Sequence, residues 1–382
     1  MIPYGRQNIT QRDIDAVIDV LKSDYLTQGP VVPAFEQRIC ELTGAAYAVA
    51  ANSATSALHL ACLALGVGAG SRVWTSPISF VASANCALYC GAIIDFVDVE
   101  PDSGNMSVMA LEKKLQHAEE NNQLPQVLIP VHLAGQSCDM QYIYQLSVRY
   151  GFRIIEDASH AVGASYQNSA VGSCQYSDIT VFSFHPVKII TTAEGGMALT
   201  NQAVLAEKMQ LLRSHGITRA DELMTEPSHG PWYYQQLQLG FNYRMTELQA
   251  ALGLSQSERL SEIIKKRQLL VASYQQLLAG LPLELTSVPK DRICAFHLYI
   301  VRLADKTQRK AVFDKLRSAG IGVNVHYIPI HSQPYYQAQG FRWGTYPMAE
   351  QFYETIISLP LYPELTLEQQ SYIAEQLRLA LA

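Results

Sequence analysis

The sequence has no run of basic residues, and 28 Lys and Arg against 34 Asp and Glu leave a formal charge of −6. Nothing in it could neutralise a row of phosphates, which argues against broad nucleic-acid binding. Apolar stretches are short too. Those at 58–67 and 86–94 are too brief or too interrupted to span a bilayer, so no membrane partner is expected. The opening residues, Met1-Ile-Pro-Tyr-Gly-Arg6, carry no apolar signal-peptide core, and the chain reads as soluble and cytoplasmic. Seven cysteines, an odd number without a CxxC pair, read as buried reduced thiols. No HExxH and no Cys/His cluster with zinc spacing is present, so no metal is expected. A Walker A loop, a GxGxxG fingerprint and a GxSxG elbow are also absent, which leaves kinase and Rossmann dehydrogenase readings unsupported. There is no internal repeat and no low-complexity tract.

What is present is an ordinary globular composition, 48% hydrophobic and 16% charged, over 382 residues. A chain of this length divides into two or three domains and buries about three-quarters of its unfolded surface. Thr10 and Asp13, followed by Ile14, Val17, Ile18 and Leu21, give an N-cap and one apolar helical stripe. Short apolar runs at 47–51, 72–75, 93–97, 127–132, 153–156, 179–184 and 197–200 predict strands. Helical patterns at 56–65, 109–119 and 140–150 separate several of them. Strands alternating with helices predict a mostly parallel sheet covered on both faces. Residues 216–240 are polar and aromatic, and a loop of that length suggests a flap or subunit contact. A helix is predicted from 246 to about 278. The remainder, with strands at 297–302 and 321–326 and helices at 307–318 and 366–379, reads as a smaller α+β domain. The expected division is a large α/β domain over 1–250 and a small domain over 251–382.

The most informative stretch runs from Arg153 to Gly196. Ile154 and Ile155 predict a buried strand that delivers Asp157 at its C-terminal end, where open α/β sheets hold ligands. A carboxylate there can keep the pyridine nitrogen of pyridoxal phosphate (PLP) protonated, which makes the ring an electron sink. Lys188 can form the Schiff base, and Ser183 can hydrogen-bond the phosphate. Singly these residues mean little, since a lone lysine is usually a solvated charge; their order carries the inference. Thr55 and Ser56 fall at a predicted helix N-terminus, a natural phosphate seat that simple N-capping would also explain. Phe80 could lie on the pyridine face, although a Phe in such a place is more often core. His160 could hydrogen-bond the cofactor's phenolic oxygen, and His185 reads as structural.

These motifs resemble the DegT/DnrJ/EryC1/StrS family of PLP-dependent sugar aminotransferases over essentially the whole chain. Phe182-Ser-Phe-His-Pro-Val-Lys188 with Glu194-Gly-Gly196 is the most specific part, supported by Glu156-Asp-Ala-Ser-His160. The resemblance implies fold type I (the aspartate aminotransferase fold) and a homodimer with active sites at its interface. Gly240-Phe-Asn-Tyr-Arg-Met245 matches the segment whose Asn, here Asn242, reaches the neighbouring chain's phosphate. Pro3-Tyr-Gly-Arg-Gln7, Tyr25-Leu-Thr-Gln-Gly29, Asn52-Ser-Ala-Thr-Ser-Ala57, Pro77-Ile-Ser-Phe-Val81 and Val325-His-Tyr-Ile-Pro-Ile330 look like the branch that makes the pseudaminic acid precursor.

In that branch Tyr4, Asp24, Tyr25, Leu26 and Thr27 would contact a nucleotide-sugar, with His326, Tyr327, Ile328 and Pro329. Ala54, Ser183 and Asn242 also fall on the substrate side. Ala54 stands where the wider family has glycine, at a cost only if the backbone there is left-handed. The implied reaction aminates C4 of UDP-2-acetamido-2,6-dideoxy-β-L-arabino-hex-4-ulose, with L-glutamate as donor. Three alternatives stay open: another nucleotide-sugar aminotransferase with different nucleotide, position or stereochemistry, a sugar dehydratase, and a non-catalytic PLP-fold regulator. Lys188 argues against the dehydratase, which carries His at that position.

Overall fold

The computed structural model describes residues 1–382. Seven strands build the large sheet: β1 (Tyr47–Ala51), β2 (Arg72–Thr75), β3 (Ile93–Phe96), β4 (Val127–Ile129), β5 (Arg153–Asp157), β6 (Ile179–Ser183) and β7 (Gly196–Thr200). Their order is β1-β7-β6-β5-β4-β2-β3, and only β7 runs antiparallel to its neighbours. All five residues of β6 and all but the first of β5 are buried, as expected of strands covered on both faces. The cover comes from helices α2 (Val31–Thr43), α3 (Ala54–Ala64), α4 (Ala82–Tyr89), α5 (Val108–Glu120), α6 (Met140–Tyr150) and α7 (Ala203–Arg213), while α1 (Gln11–Leu21) packs on the helix at Glu247–Ser257. No helix is long and apolar enough to cross a membrane.

Most predicted strands form where the periodicity placed them. The run at 127–132 is cut short because Pro130 has no amide to continue the ladder; its carbonyl instead accepts the Asp157 N–H at 2.9 Å. The helix predicted over 246–278 is two, α8 (Glu247–Ser257) and α9 (Leu260–Leu277). Between them Arg259 turns its guanidinium to Asp13 (2.8 Å) and Asn8 (2.5 Å), which anchors α1 to this bend. The exposed 216–240 segment contains a short hairpin, Ile217–Thr218 against Gln235–Gln236.

The small domain has strands β8 (Leu283–Leu285), β9 (Tyr299–Leu303) and β10 (Ile356–Leu359), and helices α10 (Arg309–Ser318), α11 (Pro334–Ala338), α12 (Pro347–Thr355) and α13 (Leu367–Leu381). The strand expected at 321–326 does not form. Ile321 and Val323 are buried, but the segment pairs only singly, through Ile321 with Ile2 and through Asn324 with Ser358. The handover between cores falls inside α9, later than position 250. Leu260, Ile263 and Ile264 pack in the core beneath the large sheet, whereas Leu270, Val271 and Tyr274 pack with the small domain. At the other end of the chain Ile2 also packs on the small domain.

Candidate active site

The C-terminal ends of the parallel strands and the start of β7 meet at one edge of the sheet, around a cavity of about 470 Å³. That is a common size for a small-molecule site. Asp157, the last residue of β5, is 4% exposed and lines it. Its Oδ2 accepts the Ser83 hydroxyl at 2.6 Å; its Oδ1 accepts the Ser159 amide at 3.1 Å and hydroxyl at 2.6 Å. The Asp157–Ser159 turn is a local side-chain-to-backbone closure that the sequence could have disclosed. Ser83 lies 74 positions away on α4, and no local signal announces it.

Lys188 follows β6 and lines the same cavity. Burial pushes its ammonium down to about 8, while the Asp157 carboxylate pulls the other way. Its amine can therefore reach the neutral, nucleophilic form near physiological pH. Three imidazoles share the space. His160 and His297 are held well below the ordinary range by burial and neighbouring positive charge, and His326 falls to about 4 for the same reasons. His160 Nδ1 accepts the Ala134 N–H at 3.2 Å, so its proton sits on Nε2, 3.1 Å from the Tyr327 hydroxyl. The two rings stack at 5.9 Å. His326 Nδ1 lies 2.8 Å from Ser358 Oγ, and its ring tilts against Tyr4 at 5.4 Å.

Helix α3 points its N-terminus at the cavity. Ser53 is the N-cap, accepting the Ser56 amide at 3.1 Å, and by position the amides of Ala54 and Thr55 have no intrahelical partner. Two such donors at a positive helix end make an anion seat. Ala54 has no positive φ, so it adopts ordinary helix-entry dihedrals and carries no strain from standing where the wider family has glycine. Gly196, at the start of β7, is required by space: a Cβ there would stand 2.4 Å from the Ala54 nitrogen.

The cavity thus gathers Tyr4, Ala54, Thr55, Phe80, Asp157, His160, Ser183, Lys188, His326 and Tyr327. Phe80 is 59% exposed rather than core. Its ring centroid lies 6.4 Å from that of Tyr327. His185, read as structural, is exposed and lines the cavity, because the chain turns outward immediately after β6. Ser56 does not line it; its hydroxyl is committed to Asn52 Oδ1 at 2.7 Å within the helix cap. Asp24, Tyr25, Leu26, Thr27 and Asn242 are exposed away from this chain's own cavity. Ile328 is exposed and Pro329 buried, and neither lines it. Sequence reasoning missed Ser83, Ser159 and His297. The His297 Nδ1 is buried without a partner.

This donor set fits PLP. It offers a buried carboxylate for the pyridine nitrogen, an amine for the aldehyde, helix amides and hydroxyls for the phosphate, and an aromatic ring at the mouth. The fit is matched by comparison with known proteins. The DegT/DnrJ/EryC1/StrS aminotransferase family model matches residues 7–378. The chain is 37% identical to the UDP-4-amino-4,6-dideoxy-N-acetyl-beta-L-altrosamine transaminase of Campylobacter jejuni serotype O:2, covering 99% of this chain and 96% of that one. It is 36% identical to the spore coat polysaccharide biosynthesis protein SpsC of Bacillus subtilis, covering 99% and 96%. Among solved structures it superposes on Helicobacter pylori PseC, an aminotransferase involved in the biosynthesis of pseudoaminic acid, with a TM-score of 0.90. That pair is 34% identical, with 100% and 99% of the two chains covered. Other similar structures include PLP and PMP forms. With the lysine, the carboxylate and the helix end at one sheet edge, this chain belongs to the DegT/DnrJ/EryC1/StrS family of PLP-dependent sugar aminotransferases.

Proposed function

We propose that the chain transfers the amino group of L-glutamate to C4 of UDP-2-acetamido-2,6-dideoxy-β-L-arabino-hex-4-ulose. The products are UDP-4-amino-4,6-dideoxy-N-acetyl-β-L-altrosamine and 2-oxoglutarate, made in the cytoplasm as a step toward pseudaminic acid. The observation that carries this reading is the 37% identity to the Campylobacter jejuni transaminase over 99% of the chain. The likeness to SpsC favours the nearest alternative, a sugar aminotransferase with another acceptor.

When bound, PLP supplies an electron sink for the carbon that loses or gains the amine. Asp157 pairs with the pyridine nitrogen and holds a proton there, kept in place by Ser83 and Ser159. The Ala54 and Thr55 amides, with the Thr55 and Ser183 hydroxyls, receive the phosphate. Phe80, at the mouth, would lie against the ring, and the His160 Nε2–H, which faces the Tyr327 hydroxyl, would be the donor for its phenolic oxygen. Lys188, with its proton affinity lowered by burial, takes the proton from the α-carbon of glutamate. In the second half-reaction it returns a proton to C4 of the sugar, and the face of delivery sets the configuration of the new amine.

Tyr4, His326 and Tyr327 stand on the cavity wall to meet the sugar nucleotide. Asp24, Tyr25, Leu26, Thr27 and Asn242 reach a cavity only if a second chain presents them, which supports a homodimer with shared sites. Assay of purified protein with glutamate and a panel of nucleotide keto-sugars tests the substrate. Preferential turnover of the UDP-L-arabino 4-ketose is expected; preference for a 3-keto or dTDP-linked acceptor would overturn the assignment. Subunit exchange tests the sharing. Inactive Lys188→Ala and inactive Asn242→Asp chains, mixed equally, should recover about a quarter of wild-type activity, since half the two-fold dimers carry one intact site. Recovery should fail, despite demonstrated exchange, if Asn242 serves its own chain.

A further inference from the structure

A cavity that takes an amino-acid donor must receive its carboxylate, yet no arginine lines this one. Apart from Lys188, the buried side-chain nitrogens on its wall belong to His160, His297 and His326. His160 is committed at both nitrogens, to the Ala134 amide and the Tyr327 hydroxyl. His326 is committed as well: its Nδ1 lies 2.8 Å from Ser358 Oγ and its Nε2 3.4 Å from Asn324 Nδ2. His297 differs. Its Nδ1 is buried without a partner, and its Nε2 makes no hydrogen bond to the protein.

Two backbone segments pressed together fix this ring. Phe296, immediately before it, has a φ of 49°, and Ala134 on the facing segment has 57°, both in the left-handed region that a Cβ disfavours. Only glycine fits at 135, since a Cβ there would stand 2.9 Å from the Phe296 nitrogen and from the His160 carbonyl oxygen. Arg267, buried on α9, donates to the Phe296 carbonyl at 3.1 Å and to the His297 carbonyl at 3.3 Å. The His297 and His160 rings consequently lie side by side, with centroids 4.4 Å apart. Burial and cationic neighbours keep the His297 ring neutral. A proton on Nδ1 would be buried without an acceptor, so the ring carries it on Nε2, the nitrogen left to the cavity side.

We propose that the His297 Nε2–H binds the α-carboxylate of the amino-acid donor. The proposal rests on the transaminase reading above, with His160 at the phenolic oxygen of PLP. That oxygen and the aldehyde carbon stand on neighbouring ring atoms, so an amino acid joined there carries its carboxylate close to His160 and hence to His297. The other anion in the reaction, the diphosphate of the acceptor, is on C1, across the sugar ring from the reacting C4. An uncommitted buried N–H beside the reacting carbon therefore meets the donor's carboxylate, in a charge-assisted hydrogen bond.

The test titrates PLP-loaded enzyme with 2-methyl-L-glutamate, which joins the cofactor but has no α-proton to lose; the absorbance of bound PLP reports Kd. His297→Phe keeps a ring beside His160 and removes both nitrogens. It should weaken this ligand about ten- to hundredfold, the range for one hydrogen bond to a charged group. 4-Aminobutyrate, which lacks the α-carboxylate, should bind wild type and His297→Phe alike, as should UDP. His297→Gln, whose amide can stand where the imidazole Nε2–H stood, should recover most of the loss. In the wild type the ¹⁵N resonance of His297 Nε2 should move with 2-methyl-L-glutamate and stay put with 4-aminobutyrate, a result that decides even if a variant folds poorly. Unchanged affinity in His297→Phe, equal weakening of both amines, a stationary resonance, or His297→Gln worse than His297→Phe would each overturn the assignment, the last by showing that the ring only packs. The underlying reading fails differently. A wild type whose PLP absorbance responds to no α-amino acid overturns both; one that responds to L-glutamine and not L-glutamate overturns the glutamate donor alone, and 2-methyl-L-glutamine then decides His297 by the same criteria.

Discussion

Two neighbouring carboxylates on β5 face opposite sides of the sheet. Glu156 is 5% exposed and accepts three hydrogen bonds, from His132 Nε2 at 2.7 Å, Ser177 at 2.5 Å and Thr180 at 3.1 Å. Asp157 is 4% exposed and also accepts three, two from Ser159 and one from Ser83. Burial and donor number therefore do not separate them. Space does: beside Glu156 the free volume is about 20 Å³, room for about one water, whereas Asp157 opens on about 470 Å³. Lys188 shares that larger space. A satisfied carboxylate in a closed packing is a structural element, and one beside an open, cation-bearing cavity is available to a ligand.

Substitutions can break this contrast at either face. The largest effect is expected for Lys188→Ala, which should retain PLP through Asp157 and the helix end yet lose turnover by about 10⁴-fold, the upper range for a positioned acid–base group. Borohydride should fix the cofactor on the Lys188 peptide of the wild type and on none in the variant. Asp157→Asn should bind cofactor while kcat falls by about 10²–10⁴-fold with little change in KM, since an amide cannot hold the pyridine nitrogen protonated. Normal turnover in single-turnover assays would refute this role.

Glu156→Gln should do the opposite, sparing kcat and costing about 1–3 kcal/mol in urea unfolding, because one buried donor loses its acceptor. Burial alone would raise the Glu156 carboxyl, but His132, Ser177 and Thr180 hold it below its ordinary value. Its stabilisation is present above the unfolded pKa and fades as pH falls through the lower folded one. The variant should lack that part of the acid slope.

Two smaller effects sharpen the cavity side. Ser83→Ala should lower kcat by about three- to tenfold, the worth of one hydrogen bond to a charged group in a partly redundant set. Cofactor-free Lys188→Met should unfold at higher urea than wild type near neutral pH. The wild-type lysine is protonated in both states there and its burial is a penalty. As pH rises from about 8 toward the unfolded value that penalty disappears, and the two midpoints should converge.

Glu156 and Asp157 also mark how far sequence reading reaches. Apolar periodicity located β5 and put both residues at its end, and the order of Asp157, Ser183 and Lys188 pointed to the cofactor. Which carboxylate faced open space was decided by packing, whereas the helix cap offered by the sequence as the other reading of Ser56 is where its hydroxyl is committed.

The sequence alone determined the alternation of strands and helices, the Thr10–Asp13 cap, and a motif order that covers nearly the whole chain. These depend on residues a few positions apart, where propensity and spacing act directly. Only the tertiary structure decided that Ser83 holds Asp157 across 74 positions, that Tyr327 meets His160 across 167, and that α9 passes between two cores. Those outcomes depend on how separated helices and strands settle to fill space, and packing is a property of the whole chain rather than of any window along it.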